Sequence, residues 1–468
     1  MSLYQSVDHL RSLSRQNPSN IIENITNVIF NLNTLGKDLD AVTFTDKNFS
    51  ISQANQIINS NIELPLYGVP MAHKELYGRY INEIQSWPNE GGSRSFKGRK
   101  SSQTATVISL LDNAGSIDCG RLVSVEYAFG VTGHNSYAGT PKNPWNRDYV
   151  CGGSSSGSGS IVAAGIVPVA LGSDTGGSVR LPAAACGLVG VKPTQGLISR
   201  AGVFPLSNTL DSVGPLARST KDAAEILQII TGYDPKDKLS CNAPKKDYVS
   251  GLKHDISNIT LGLPKNYFLT GSDNQVSDVT VSCLSLAENL GVKCVDINVP
   301  NIENSNDLNI LMISSEAYQI HKEYLLEKHS LLNDQTLMRI LAGVFTKKSD
   351  YEKLQSYRKS FIVKILSEVF ENIDVLLTPV WPCLIPKIKE SDIGANPEAA
   401  HLVKRIGHNT RPVNFMGLPA VCIPTGLDEN GLPMSVQLIG KPYSEDVLLA
   451  LAHALEREYD FWSRKPKI

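Results

Sequence analysis

The stretch from Cys151 to Gly196 constrains this chain more than any other part of it. It reads CGGSSSGSGSIVAAGIVPVALGSDTGGSVRLPAAACGLVGVKPTQG, rich in Gly, Ser and Ala and almost free of charge. A disordered Gly/Ser linker would not carry the apolar runs Ile161–Val162, Val167–Leu171 and Leu188–Val191 between its glycines. Those runs predict buried helix or strand segments. The glycines between them predict loops in which the backbone itself comes close to something.

The rest of the chain supplies the frame. Thr104–Asn113 has helical apolar spacing, and Ala114–Gly115 then leads to a short strand near Ser116–Cys119. The same rhythm returns as a strand at Ile259–Leu263, a helix at Val276–Gly291 and a strand at Val292–Val299. Buried strands at Ile373–Pro379 and Ala420–Pro424 and a helix from Ser444 to Tyr459 follow. Alternation of this kind predicts an α/β fold, a large and mainly parallel sheet with helices on both faces. No repeat and no clean boundary divides the chain, so one domain over 1–468 is expected. Within it lie a helical N-terminal segment over 1–60, a core over about 64–220, a helical insertion over about 300–372 and a C-terminal part of the core over about 373–460.

Charge and cysteine usage narrow the function classes. With 44 Lys plus Arg against 46 Asp plus Glu, nothing points to nucleic acid. The longest apolar-leaning run, Ile161 to Gly172, is too short to span a bilayer, and the N-terminus lacks a signal-peptide pattern. A cytoplasmic protein without membrane or nucleic-acid partners is therefore expected. The eight cysteines form no CxxC pair, which predicts neither a metal site nor a disulfide framework.

Three segments could do chemistry: Lys74 in GVPMAHKELYG, the loop GGSSSGSGS from Gly152, and GSDTGGSVR from Gly172. In the last, the consecutive N–H groups of Thr175, Gly176, Gly177 and Ser178 could form a concave donor nest for a phosphate or an oxyanion. The spacing Gly172-x-x-x-x-Gly177-Ser178 lacks the lysine of a phosphate loop, which weakens the nucleotide reading. The serine loop satisfies G-x-S-x-G centred on Ser155, the pattern of a nucleophile elbow. That reading needs a later acid and then a histidine; His401, His408 and His453 follow in order, but none has a suitable loop context. Lys74 follows an apolar run. A surface lysine is the ordinary reading, whereas desolvation at the end of a buried strand would make its amine a usable base.

Lys74, GGSSSGS with Ser154, and DTGGSVRLPAAACGLVGVKPT with Ser178 together resemble the amidase signature family. The two serines are 24 positions apart, and SNTLDSVGPLARS around Asp211 and the stretch from Asn409 to Pro442 also fit. The resemblance runs from about residue 64 to 456. It implies a catalytic triad in which Ser178 is the nucleophile, Ser154 bridges on a cis peptide bond after Gly153, and Lys74 is the base. The N–H groups of Thr175, Gly176, Gly177 and Ser178 would hold the oxyanion, with Ser155, Asp174, Arg180 and Asp211 supporting the loops. No metal or cofactor is implied. Where the family commonly has Asp after the lysine, this chain has Glu75, longer by one methylene or about 1.5 Å.

The expected activity is amide hydrolysis to a carboxylic acid and ammonia or an amine, through an acyl-enzyme. Expected partners are a small-molecule amide substrate and, at most, a second copy in a homodimer. Tyr127, Phe129, Phe204 and Arg339 are candidate substrate contacts. Two alternatives stand beside this: a glutamine-hydrolysing A-type component of a tRNA-dependent amidotransferase, to which Arg339 also points, and a non-catalytic binding protein on the same fold.

Overall fold

The computed structural model describes residues 3–60 and 62–468; the first two residues of the expected N-terminal segment lie outside these. A three-stranded sheet comes first in the chain, formed by β1 (Val42–Thr45), β2 (Val69–Lys74) and β3 (Ser116–Leu122) in the order β1-β3-β2. A short hairpin, β4 (Lys142–Asn143) and β5 (Asn146–Val150), precedes the serine loop. Eight further strands form the main sheet: β6 (Val169–Asp174), β7 (Val189–Lys192), β8 (Ser212–Ala217), β9 (Thr260–Pro264), β10 (Lys293–Ile297), β11 (Val375–Pro379), β12 (Ala420–Leu427) and β13 (Pro433–Gly440). Their order is β10-β9-β11-β13-β12-β7-β8-β6.

Alternation along these strands buries both faces of the sheet. Val169 and Leu171 of β6 join one apolar cluster with Ala223 and Leu227 of helix Thr220–Ile230 and Leu448 and Leu451 of helix Glu445–Tyr459. Ala170, between them, faces the opposite way into a cluster with Ile161, Val162 and Leu181. Leu376 of β11 and Ile439 of β13 enter a third cluster with Met312, Phe361 and Phe415. The sheet is thus flanked by helices, as its sequence rhythm predicts.

Its pairing differs from the expected one. β9 pairs in parallel with β10 and β11, and the remaining five neighbour pairs are antiparallel. The physical reason is connection length. Only the helix Asn274–Asn289 makes a long crossover between adjacent parallel strands, β9 to β10, while β12 and β13 are joined by a tight turn.

The Gly/Ser stretch folds into helices Ser156–Ala163 and Arg180–Cys186 around β6. Glycine there is a matter of space: a Cβ on Gly157 would lie 2.6 Å from the Ala41 carbonyl oxygen and the Val123 nitrogen. Three helices, Ser305–Lys328, Asp334–Leu341 and Lys348–Glu368, occupy the stretch expected as an insertion. Among the described residues no helix is long and apolar enough to cross a membrane.

Candidate active site

The site forms where β2, the outer strand of the small sheet, lies beside β6, the edge of the large one. The strands are joined through side chains: Leu171 N–H donates to His73 Nδ1 at 3.3 Å, and Tyr77 Oη–H donates to the Gly172 carbonyl at 2.6 Å. Burial pushes the His73 imidazole down to about 3, so the ring is neutral and can accept. This seam carries Lys74, the last residue of β2, into full burial.

Lys74 Nζ lies 2.7 Å from Ser154 Oγ and 2.8 Å from Ser173 Oγ. Burial pushes its ammonium down to about 7, against the opposing pull of Asp211, Asp174 and Glu75. A neutral amine keeps one lone pair, so one of these contacts can reverse, with Ser154 O–H donating to Nζ. Ser154 follows the cis Gly153–Ser154 peptide bond. Its neighbour Ser155 accepts from Ser173 N–H at 3.2 Å and donates to the Ser173 carbonyl at 3.3 Å, so its hydroxyl is spent on bracing the loop. Ser155 N–H also donates to the Ser178 carbonyl at 3.3 Å, which ties the two serine loops together. Among the described residues no hydrogen bond joins the Ser154 and Ser178 hydroxyls directly.

Asp174 organises the loop that presents Ser178. Its carboxylate accepts from Gly177 N–H at 2.8 Å, Val179 N–H at 3.1 Å and Asn414 Nδ2 at 2.7 Å, and pairs with Arg180 Nε at 3.1 Å. Burial pushes this carboxyl up, but the adjacent Arg180 guanidinium more than offsets that and holds it well below the usual range. Arg180 is itself fixed by Gln437 Oε1 at 2.9 Å, Asn414 Oδ1 at 2.6 Å and the Thr410 carbonyl at 3.1 Å. Asp211 accepts from Thr175 Oγ1 at 2.6 Å and from the N–H groups of Leu206 and Ser207, which holds the first residue of the nest. Both partners of the Asp174–Arg180 pair are fully buried. Arg180→Met is expected to lower unfolding stability by about 3–5 kcal/mol, because it strands the carboxylate without its cation. Urea unfolding of the two proteins checks this, and a loss below about 1 kcal/mol would contradict it.

The donor nest contains three free N–H groups, not four. Gly177 N–H is turned inward onto Asp174, at φ +124°, with Thr410 Oγ1 2.2 Å from where a Cβ would stand. This corrects its expected oxyanion role: the conformation that brings its neighbours' amides together points its own the other way. Thr175, Gly176 and Ser178 line a cavity of ≈ 270 Å³ together with Phe129, Arg339 and Arg411. Among the described residues no hydrogen bond takes up the N–H groups of these three.

Two expected substrate contacts lie elsewhere. Tyr127 is fully buried with ring centroids 5.4 Å from Phe96, 5.5 Å from Phe204 and 4.6 Å from His321, and its hydroxyl meets Ser95 Oγ at 3.0 Å. Phe204 stacks on His321 and lines a second cavity of ≈ 540 Å³ with Ser173, Asp211 and Arg200. Mutual packing in an aromatic cluster takes both rings away from Ser178. Glu75 spans its extra length to accept from Ser124 N–H and Oγ–H at 2.9 and 3.0 Å, tying the loop after β2 to that after β3. Sequence reasoning missed Ser173 and Arg411, although both stand inside the quoted motifs, at GSDTGGS and NTRPVNF. Among the described residues no group of three or more His, Cys, Asp or Glu is placed to hold a metal ion.

Fold and comparison together define an enzyme, a hydrolase acting on amide C–N bonds. The chain belongs to the amidase signature family: the amidase family model matches residues 23–449. Among its relatives is the A component of the glutamyl-tRNA(Gln) amidotransferase of Halalkalibacterium halodurans, 36% identical over 388 residues and covering 78% of this chain and 79% of that one. The component of the same name from Neisseria meningitidis is 32% identical over 426 residues, 86% of each chain. Among solved structures, the corresponding A component from Thermotoga maritima superposes with a TM-score of 0.81 at 27% identity, over 97% of this chain and 94% of that one. A bacterial aryl acylamidase of the amidase signature family reaches 0.86 at 25% identity, over 99% of each. These relatives correct the expectation of a chain acting by itself on a small amide, or at most as a homodimer. The curated proteins it matches are each one lettered component of an amidotransferase, an enzyme assembled from more than one chain.

Proposed function

We propose that this chain hydrolyses a primary carboxamide through an acyl-enzyme on Ser178 and supplies the ammonia as the A-type component of an amidotransferase. The observation that carries the chemistry is the 2.7 Å contact between the buried Lys74 amine and Ser154 Oγ, beside a nest of free N–H groups. A serine hydroxyl is a weak nucleophile until a base takes its proton. Ser178 O–H passes its proton to Ser154 as Ser154 passes its own to neutral Lys74, a link that tightens once the substrate carbonyl is in place. Ser178 Oγ attacks the carbonyl carbon, and the oxyanion accepts from the N–H groups of Thr175, Gly176 and Ser178. Collapse breaks the C–N bond, the relay returns the proton to the leaving nitrogen, and ammonia departs. Water then attacks the ester by the same route, giving the carboxylic acid and free Ser178.

The reading as one component of a larger enzyme is supported by relatives at 30–36% identity that cover most of both chains. It is tested by purifying the tagged chain from its own cells, identifying stoichiometric partners by mass spectrometry and assaying ammonia release. A second chain in fixed proportion is expected. A chain that elutes alone and releases ammonia at full rate contradicts the amidotransferase reading and leaves the hydrolase reading in place. Glutamine is the donor the family resemblance implies for such a component, and the charge of the cavity bears on that choice.

A further inference from the structure

The cavity beside Ser178 holds three cationic side chains, Arg339, Arg411 and Lys404, and no Asp or Glu lines it. Lys404 is an exposed residue facing the exposed Asp307 at 3.5 Å. The two arginines differ from it. Arg339 donates to the Phe129 carbonyl, and Arg411 donates to Asn306 Oδ1 and the Lys404 carbonyl, each at 3.0 Å. Every one of these acceptors is neutral, and a guanidinium has five N–H donors, so most remain unspent. Burial pushes both groups down to about 10, and the charge of Arg339 adds to the effect on Arg411. Buried cations kept without a counter-ion cost several kcal/mol each. The chain also makes room for one of them. A Cβ on Gly407 would stand 2.3 Å from the Arg411 guanidinium carbon, and one on Gly176 would touch Arg411 Cγ at 3.3 Å. The side chain thus runs over the oxyanion loop.

We propose that the amide donor is the monoamide of a dicarboxylic acid, its free carboxylate held by Arg339 and Arg411 while Ser178 attacks the carboxamide at the other end. This rests on the hydrolase reading above. Paired guanidinium groups match a carboxylate in geometry as well as charge. Glutamine offers the same carboxylate but carries an ammonium beside it. On this lining the ammonium meets two guanidinium groups and no acid, which works against it. Glutaramate, glutamine without its amino group, avoids that repulsion. The cavity volume, ≈ 270 Å³, falls just below the ~300–1,000 Å³ usual for small-molecule sites, and suits a short acyl chain.

The test compares kcat/KM for glutaramate, L-glutamine and butyramide. Glutaramate is expected to lead each of the others by about 10²-fold, and Arg339→Met or Arg411→Met to bring its lead over butyramide to within about fivefold. Calorimetric titration of glutaramate and butyramide into the Ser178→Ala chain reads the subsite without turnover and without an arginine substitution. Only glutaramate is expected to bind. Butyramide hydrolysed as well as glutaramate, or glutamine in the lead, overturns the inference and leaves the hydrolase reading standing. Glutaramate bound by the Ser178→Ala chain, with no amide hydrolysed by the unsubstituted one, does the reverse.

Discussion

Ser178→Ala is expected to lower kcat by at least about 10⁴-fold, the scale seen when a hydrolase loses its covalent nucleophile. The reason is specific to this loop. Thr175, Gly176 and Ser178 present their N–H groups to the cavity through backbone geometry, and Asp174 and Asp211 hold that backbone, so alanine leaves the nest intact. What remains is binding and oxyanion stabilisation without an atom to attack. Removing the hydroxyl breaks no hydrogen bond among the described residues, so unfolding stability is expected to stay within about 1 kcal/mol. Steady-state ammonia release and urea unfolding measure the two. A variant within tenfold of the original kcat would remove Ser178 from the chemistry.

Lys74→Met is the second large effect, about 10³-fold or more in kcat/KM, since among the described residues no other amine or imidazole contacts Ser154. Methionine keeps the length of the side chain and suits full burial, so the loss reads the amine and not a cavity. The pH dependence carries the sign. Burial lowers the Lys74 ammonium to about 7, and the deprotonated amine is the active form. Activity should therefore rise about tenfold per pH unit below 7 and level off above it. Glu75, which burial pushes up to about 7, titrates in the same range, and its charge and that of Lys74 act on each other. Loss of the acid limb in Lys74→Met assigns it to the lysine; the same limb persisting assigns it to Glu75.

Much of the site was legible because its chemistry needs particular residues at fixed spacing. A lysine ending an apolar run, two serines 24 positions apart and glycines between them leave little room for another reading. The exact donors were not legible. Whether Gly177 N–H faces the cavity or Asp174 depends on a backbone angle that the letters GG leave open. Arg411 was hidden for a different reason, since a buried cation on a cavity wall has the same sequence signature as one on the surface. Tyr127 and Phe204 misled because aromatic residues near a site in sequence pack against each other when other rings are within reach.

The fold shows the same division. Strands of plain apolar character, such as β9 and β11, were readable, and β8 was not. Its sequence SVGPLA carries Gly214 and Pro215 in the interior, which are breakers by propensity, yet it pairs with β6 on one side and β7 on the other. The antiparallel pair β12 and β13 had a signal that went unread. Asn430-Gly431 lies in the connection between two apolar runs, with Gly431 at φ +74°, a hairpin mark that would have placed an antiparallel pair in the middle of the sheet.

The central claim is that position 178 bears an activated serine. Intact-mass measurement after treatment with a fluorophosphonate tests it most directly, on the unsubstituted chain and on Ser178→Ala. A single adduct on the first, absent from the second, is the expected result. An adduct that persists in Ser178→Ala, or none on the unsubstituted chain, would contradict the assignment.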